Sequence, residues 1–312
     1  MKPFRIIFMG TPEFAVPSLL ALHESHHEVL AVLTQPDRPK GRGRKLTPPP
    51  VKIAAERLGY SVQQPDCIHQ DECLSFLTAT LPDLFVVIAF GRLLKPHHFS
   101  IPNSGVINVH ASLLPRYRGP APIQWALING DRETGVTTMY MAEELDAGDM
   151  LLQARTPITS EDTAATLHDR LSQLGASLLI DTLQAMSANR LKPVKQNPDL
   201  VSYAPLLHKK DGRINWDQPT TVIDAFIRGM TPWPGAFTFL GDLRLKIFKV
   251  QSALLPKPTP PGTILSGFSN EIRVATGDGA LSILEIQSAS GRRMAADDFL
   301  KGTAIIPGSR LE

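Results

Sequence analysis

Residues 4–13 have the sequence FRIIFMGTPE, in which an apolar run ends at Gly10 and is followed at once by a proline and an acid. The run is typical of a buried strand. Thr11, Pro12 and Glu13 supply an N-cap, a first-turn proline and an early acid for a helix. The stretch therefore predicts a strand, a tight turn and a helix, which is the first repeat of an α/β fold.

The same alternation continues downstream. Apolar runs without polar alternation are typical of parallel strands covered on both faces, and they lie at 29–33, 84–89 and 105–109. Helical segments lie at 51–58, 71–81 and 122–127, and a long helix begins at 159–162 and ends near Asn189. We expect a doubly wound, mostly parallel Rossmann-like sheet, whose ligands bind beyond the carboxyl ends of the strands.

The sequence changes character near residue 190. Residues 190–208 are polar and contain three prolines, as expected of a linker. Beyond residue 209, short strand-like segments such as 243–247 and 272–276, the second followed by a Gly-Asp-Gly turn, predict a small β-barrel. We expect a catalytic domain at 1–189, a linker at 190–208 and a second domain at 209–312.

Composition excludes several classes of protein. The 312 residues are 43% hydrophobic and 20% charged, which is ordinary for a globular protein. No apolar run approaches the roughly 20 residues that cross a bilayer, and the first run lacks a signal-peptide cleavage site, so we expect a cytoplasmic protein. Cys67 and Cys73 are the only cysteines and lack zinc-site spacing, so neither a disulfide framework nor a bound metal is expected.

The densest polar set follows the strand at 105–109. In an extended segment Asn108 and His110 point to the same face, which places an amide donor beside an imidazole. The amide can stabilise an oxyanion, and the imidazole can move protons near neutral pH. Asn108 capping a turn, with His110 packed beneath it, is an equally open interpretation. Asp146 lies in a Gly-containing turn, where it either orients His110 or bonds its own backbone.

Two further segments invite a binding role. The Gly10 turn lacks the remaining glycines of a dinucleotide fingerprint, and no phosphate-binding loop is present. The loop at 34–52 carries six basic residues against the single acid Asp37, in a chain whose net charge is only +2. We expect this loop to contact a polyanion, although a solvated connector has the same composition.

These segments together resemble the methionyl-tRNA formyltransferase family over nearly the whole chain. The matching stretches are GTPEFA at 10–15, TQPDRP at 34–39 with GRG at 41–43, NVHASLLPRYRG at 108–119, LDAGDM at 145–150, PWP at 232–234 and PGTI at 261–264. The asparagine, histidine and aspartate alone are shared with other enzymes that use 10-formyltetrahydrofolate. Ala111 stands where many members have glycine.

The resemblance implies formyl transfer from 10-formyltetrahydrofolate, as cosubstrate and without a metal, to the α-amine of methionyl initiator tRNA. Asn108, His110 and Asp146 would be the catalytic set. Residues contacting tetrahydrofolate would be Ser112, Leu113, Leu114, Pro115, Phe90, Gly91 and Leu93. Those contacting tRNA would be Arg38, Lys40, Arg42, Arg44, Lys45, Lys209 and Lys210, with Arg42 the best single candidate, and the second domain would be an OB-like barrel.

Two other functions stay open at this point. One is a formyltransferase or hydrolase that uses the same donor with a small amine or water as acceptor. The other is a non-catalytic RNA-binding module, which would leave Asn108, His110 and Asp146 without a role. The basic loop, together with Lys209, Lys210 and Arg213, favours a large polyanionic acceptor. We expect a monomer that binds tRNA and a folate and does not bind membranes.

Overall fold

The computed structural model describes residues 3–40, 43, 45–268, 270–289 and 291–312. The chain folds into two compact units, each built from segments that are separate in sequence. The first comprises Met1–Gly119, Thr134–Thr156 and His168–Tyr203, and the second comprises Pro120–Glu133, Pro157–Leu167 and Ala204–Glu312. The domain limits 1–189 and 209–312 stay predictions.

The predicted α/β alternation is confirmed. The strands of the main sheet are β1 (Arg5–Gly10), β2 (Glu28–Leu33), β5 (Val62–Gln63), β6 (Leu84–Ile88), β7 (Val106–His110), β8 (Glu133–Tyr140) and β9 (Met150–Pro157). A small separate hairpin consists of β3 (Arg38–Lys40) and β4 (Lys45–Thr47). The helices up to residue 187 are α1 (Val16–Glu24), α2 (Pro50–Arg57), α3 (Asp71–Ala79), α4 (Pro96–Phe99), α5 (Pro122–Ile128) and α6 (Ala164–Ser187).

The main sheet has the strand order β5-β2-β1-β6-β7-β8-β9. Pairing is parallel from β5 to β7, and β7 pairs antiparallel with β8. Strands β1 and β6 are almost completely buried, which explains their unbroken apolar runs. Gly175 of α6 allows close packing on β7, since a Cβ there would lie 3.0 Å from the Val109 methyl group. The carboxyl ends of β1, β2, β6 and β7 meet at one edge.

The turn after β1 differs from the prediction in one respect. Glu13–Ala15 forms a 3₁₀ turn that leads into α1, and the N-cap residue is Pro12. The Thr11 hydroxyl does not cap the helix but donates to the Phe90 carbonyl at 2.9 Å. Thr11 therefore links the ends of β1 and β6, which is a tertiary role that local sequence does not reveal.

The second unit contains the predicted small barrel. Its elements are α7 (Thr220–Met230), β10 (Ala236–Leu240), β11 (Leu243–Ala253), β12 (Ile272–Ala275), β13 (Ala280–Ser288), β14 (Met294–Ala295) and α8 (Ala296–Gly302). The antiparallel order is β10-β11-β13-β12, with β14 beside β13. Residues 262–264 pair with β12, and residues 309–312 pair with both 262–264 and β10. The ladder thereby closes on itself around a core that includes Leu245, Ile247 and Leu281.

Candidate active site

The site begins at the end of β7. Asn108 and His110 alternate with buried apolar residues on this strand, so both side chains project from the same face. His110 is only 7% exposed, whereas Asn108 is partly accessible. Among the described residues, the Asn108 side chain makes no hydrogen bond to protein, so its amide is free to donate to a bound molecule.

The His110 ring is oriented by a backbone carbonyl. Its Nε2 lies 2.9 Å from the Tyr117 carbonyl oxygen, and because a carbonyl only accepts, Nε2 carries a proton. Its Nδ1 lies 3.6 Å from Oδ2 of Asp146, beyond hydrogen-bond distance but close enough for an ion pair. The Asp146 carboxylate therefore faces Nδ1, while the Tyr117 carbonyl fixes the ring through Nε2. The structure thus brings together the predicted histidine and aspartate.

The loop that carries Asp146 is tightly constrained. Asp146 has a left-handed backbone (φ +52°), and its Oδ2 accepts a hydrogen bond of 2.8 Å from the Gly119 N–H. Glycine is required at position 148, because a Cβ there would overlap the Tyr140 carbonyl oxygen. Gln196 donates to the carbonyls of Asp146 and Gly148 at 2.7 and 2.9 Å. The Asp-x-Gly pattern thus reflects a loop folded back on β8.

The segment predicted to contact folate, residues 112–115, is held by its neighbours. Ser112 is fully buried and its hydroxyl donates to the Arg116 carbonyl at 2.6 Å. The Leu114 N–H donates to Thr137 Oγ1 at 3.1 Å, and its carbonyl accepts from Gln153 at 2.8 Å. Leu113 and Pro115 remain partly accessible. Within this segment the accessible side chains are therefore the apolar ones.

The other predicted folate residues follow β6. The Phe90 side chain is buried in the core, and its carbonyl accepts from Thr11 Oγ1 and from Gln35 Nε2 at 2.9 and 3.0 Å. The Gly91 carbonyl accepts from the same amide at 3.0 Å, and Gly91 has φ +73°. Leu93 is 64% exposed. Gln35, two residues after β2, therefore links the end of that strand to the segment after β6, a tertiary contact that its place in the 34–39 stretch did not reveal.

The basic loop contains the β3–β4 hairpin, whose register pairs Arg38 with Thr47 and Lys40 with Lys45. Arg38 and Lys45 are exposed and enter no ion pair within the described part of the chain. Lys52, in contrast, binds Asp37 at 2.9 Å. Hydrogen bonds from Gln64 and then Lys52 hold the pKa of Asp37 below its usual range. The positive charge of Lys52 is thus balanced by Asp37 within the fold.

The remaining predicted tRNA-contacting residues lie in other places. Arg42 and Arg44 fall outside the described residues. Lys209 and Lys210 lie in a short 3₁₀ helix of the second unit and are exposed.

A cluster of histidines lies elsewhere in the first unit. His69, His97 and His98 present ring nitrogens within 4.8 Å of one another. In His98, however, Nε2 hydrogen-bonds to the Ile68 carbonyl at 3.1 Å and Nδ1 contacts the Lys95 backbone at 3.2 Å. These bonds give His98 a structural role at the start of α4.

Comparisons with known proteins identify the family of the chain. A family model described as "Formyl transferase" matches residues 4–183, and one described as "Formyl transferase, C-terminal domain" matches residues 206–304. The methionyl-tRNA formyltransferase of Citrifermentans bemidjiense is 51% identical, over 100% of this chain and 97% of the relative. That of Pelotomaculum thermopropionicum is 50% identical over 97% of each chain. No helix among the described residues has the length and apolar character needed to span a membrane.

Solved structures share the fold. The N-formyltransferase from Helicobacter canadensis in complex with folinic acid and dTDP-3-aminofucose superposes with a TM-score of 0.70 at 20% identity, covering 93% of this chain and 100% of that one. HypX from Aquifex aeolicus in complex with tetrahydrofolic acid gives a TM-score of 0.66 at 19% identity, covering 98% of this chain and 49% of that one. Both family models and the full-length curated relatives lead to one assignment: the chain belongs to the methionyl-tRNA formyltransferase family.

Proposed function

We propose that this protein transfers the formyl group of 10-formyltetrahydrofolate to the α-amine of methionyl initiator tRNA. Close full-length relatives carry the name methionyl-tRNA formyltransferase. The observation that carries the mechanism is the distance of 3.6 Å between Oδ2 of Asp146 and Nδ1 of His110. His110 lies on β7, the strand that also presents Asn108. The reaction belongs in the cytoplasm, where initiator tRNA is charged and used, and a monomer is sufficient because Asn108, His110 and Asp146 come from one chain.

In this mechanism the neutral methionyl amine attacks the formyl carbon. The new N–C bond converts the carbonyl oxygen to an oxyanion, and the free Asn108 amide is placed to donate a hydrogen bond to it. Collapse of the tetrahedral intermediate breaks the bond to the folate nitrogen. That nitrogen takes up a proton while the attacking amine loses one, so the reaction is balanced within the site.

His110 is suited to move that proton. Because Nε2 is committed to the Tyr117 carbonyl, Nδ1 is the nitrogen that gains and loses the proton. Asp146 lies near Nδ1 without a hydrogen bond to it and stabilises the imidazolium that forms when Nδ1 accepts a proton. Delivery of the proton to the departing nitrogen returns His110 to its neutral form.

Substrate contacts follow from exposure. The accessible side chains of Leu113, Pro115 and Leu93 offer apolar surface to the folate, and Gly91 allows close approach of its backbone. The exposed bases Arg38 and Lys45 of the hairpin suit the tRNA phosphates, as do Lys209 and Lys210 of the second unit.

The test is to incubate the protein with methionyl-tRNA and labelled formyl donor and to measure label on the aminoacyl amine. Single-turnover rates should fall about 100- to 1000-fold for Asn108→Ala and about 100- to 10,000-fold for His110→Ala, because an oxyanion donor and a proton carrier are lost. Asn103→Ala, an exposed asparagine before β7, is the control and should keep the wild-type rate. Label in a small amine or in free formate, with none on tRNA, would overturn the proposal.

A further inference from the structure

The segment at 194–203, inside the predicted linker, runs beside the candidate active site. At one end, Val194 exchanges two backbone hydrogen bonds of 2.9 Å with Met150 at the start of β9. At the other end, the Ser202 carbonyl accepts from the Arg118 N–H at 2.8 Å, and the Ser202 N–H donates to the Pro115 carbonyl at 3.3 Å. The segment is therefore an ordered part of the first unit that joins β9 to the loop after β7.

Gln196 holds the Asp146 loop through its side chain. Its amide uses both hydrogens, one on the Asp146 carbonyl at 2.7 Å and one on the Gly148 carbonyl at 2.9 Å. Its oxygen accepts 3.0 Å from Nε of Arg118, a residue that is itself 7% exposed and whose side chain also bonds Glu144 at 3.2 Å. The side-chain amide is thus fixed at both ends. The Gln196 amide thereby supports Asp146, whose left-handed backbone conformation is unfavourable for an aspartate.

Ser202 supports His110, the residue that faces Asp146, by way of Tyr117. Its hydroxyl accepts 2.9 Å from the Tyr117 N–H, and Tyr117, like Asp146, has a left-handed backbone, with φ +63°. The carbonyl of this same residue receives the hydrogen bond from His110 Nε2. The Ser202 hydroxyl therefore holds the peptide group that precedes Tyr117, and the Ser202 carbonyl, through the Arg118 N–H, holds the peptide group whose carbonyl orients the His110 ring.

We propose that Gln196 and Ser202 are positioning residues for catalysis, Gln196 for Asp146 and Ser202 for His110. This inference rests on the proposed function, because it needs His110 and Asp146 to act together. The separation of 3.6 Å between Nδ1 and Oδ2 is set by two loops with left-handed residues, and one segment ties both loops. A displacement of about 1 Å in such an arrangement can lower a rate about 100-fold.

The main test is Gln196→Glu, which keeps the shape and the acceptor for Arg118 but replaces the donor toward two carbonyls by an oxygen. We expect kcat to fall about 10- to 100-fold while KM for tRNA and for the folate changes less than about twofold. The pH profile of kcat should shift as well, because the carboxylate moves relative to His110. Asn197→Ala is the matched control, since the side chain of this exposed neighbour accepts only from the Asp199 N–H among the described residues.

A double-mutant cycle separates positioning from general destabilisation. In an Asp146→Ala background, Gln196→Glu should cause no further loss of rate, because its target is already absent. An equal further loss would overturn the proposal, as would a wild-type rate for Gln196→Glu alone. If Asp146→Ala itself has the wild-type rate, the catalytic role of Asp146 fails instead, whereas formyl transfer is tested separately by the label on methionyl-tRNA.

Ser202 provides a test that does not depend on the stability of the Gln196 variant. Ser202→Ala removes the acceptor for Tyr117 and should lower kcat about tenfold or more, whereas Ser202→Thr keeps the hydroxyl and should recover most of the rate. Circular dichroism of both variants checks that they fold. Equal rates for the alanine and threonine variants would contradict the role of Ser202.

Discussion

At the scale of single residues, His27 couples stability to pH. It is 7% exposed, its Nδ1 accepts 3.1 Å from the Phe4 N–H, and its ring stacks on Phe4. Within the described residues its buried Nε2 has no hydrogen-bond partner. Burial, followed by the charge of His26, lowers the pKa of His27 from 6.5 to about 4. The folded protein therefore requires the neutral ring.

The sign of the effect follows from linkage. Since the folded pKa of His27 lies below its unfolded pKa, its contribution to the free energy of unfolding is fully present above about pH 6.5. This contribution is lost as the pH falls toward 4, by up to about 3 kcal/mol. His27→Asn keeps an acceptor for Phe4 but does not titrate, so it should remove this part of the pH dependence. Urea unfolding at pH 7 and pH 4.5 measures it. His23→Asn, an exposed histidine of α1, is the control, and an unchanged pH dependence in His27→Asn would refute the prediction.

The site residues differ in how far sequence could predict them. Asn108 and His110 were predictable because a strand has a period of two, and both lie where a parallel strand ends. Tyr117, Gln196 and Ser202 were not predictable, since each acts through hydrogen bonds to distant backbone groups. Gln196 in particular lies 50 residues from Asp146 in a proline-containing stretch that has the composition of a linker.

At the scale of elements, the buried strands β1, β6 and β7 were predictable from their apolar runs, and the β3–β4 hairpin was not. Each hairpin strand has three residues, charge and Pro39 interrupt any alternation, and Leu46 is 64% exposed. No buried face therefore imposes a periodic pattern on this sequence. The hairpin nevertheless orders Arg38 and Lys45, whose charges the sequence assigned to a loop.

The hairpin should account for part of the salt dependence of tRNA binding. Arg38 and Lys45 are exposed and unpaired within the described residues, so each can neutralise one phosphate. Replacing both with alanine should lower the slope of log Kd against log salt by about 0.7 to 0.9 for each phosphate that is no longer neutralised. Filter binding from low to moderate salt measures this slope.

The control replaces one exposed base outside the hairpin. Arg57→Ala, at the end of α2, removes the same kind of charge and should leave the slope at the wild-type value. If the hairpin variant and the control have equal slopes, the hairpin bases are solvated and do not bind phosphate.

At the scale of the whole molecule, the compact units are discontinuous in sequence. The second unit takes up residues 120–133 and 157–167 as well as the segment from Ala204 onward. In this unit Arg228 of α7 donates to the Asp162 carbonyl at 3.1 Å, and Trp125 of α5 donates to the Pro205 carbonyl at 2.8 Å. Composition and local pattern predict where strands end. They do not predict which separated segments pack into one unit, because that depends on interactions between residues far apart in the sequence.

The closure of the barrel by residues 309–312 gives the last prediction. Glu312 exchanges hydrogen bonds of 2.8 and 2.9 Å with Phe239 of β10, and Leu311 is 2% exposed in the barrel core. Leu311→Ala should lower the free energy of unfolding by about 2 to 5 kcal/mol, since it leaves a cavity in a packed core. Deleting residues 309–312 should lower the free energy of unfolding by more than this, because β10 and residues 262–264 then both lose the segment that pairs with them.

Tryptophan fluorescence can follow this unfolding in the second unit alone. All three tryptophans lie there, and Trp216 donates 3.0 Å to the Thr238 hydroxyl, which in turn donates 2.9 Å to the Glu312 carbonyl. Glu312→Gln retains these backbone hydrogen bonds and should unfold at the wild-type urea midpoint. A deletion variant that also kept this midpoint would show that the barrel is stable without its closing strand, and that the antiparallel ladder of β10 to β13 supplies the stability by itself.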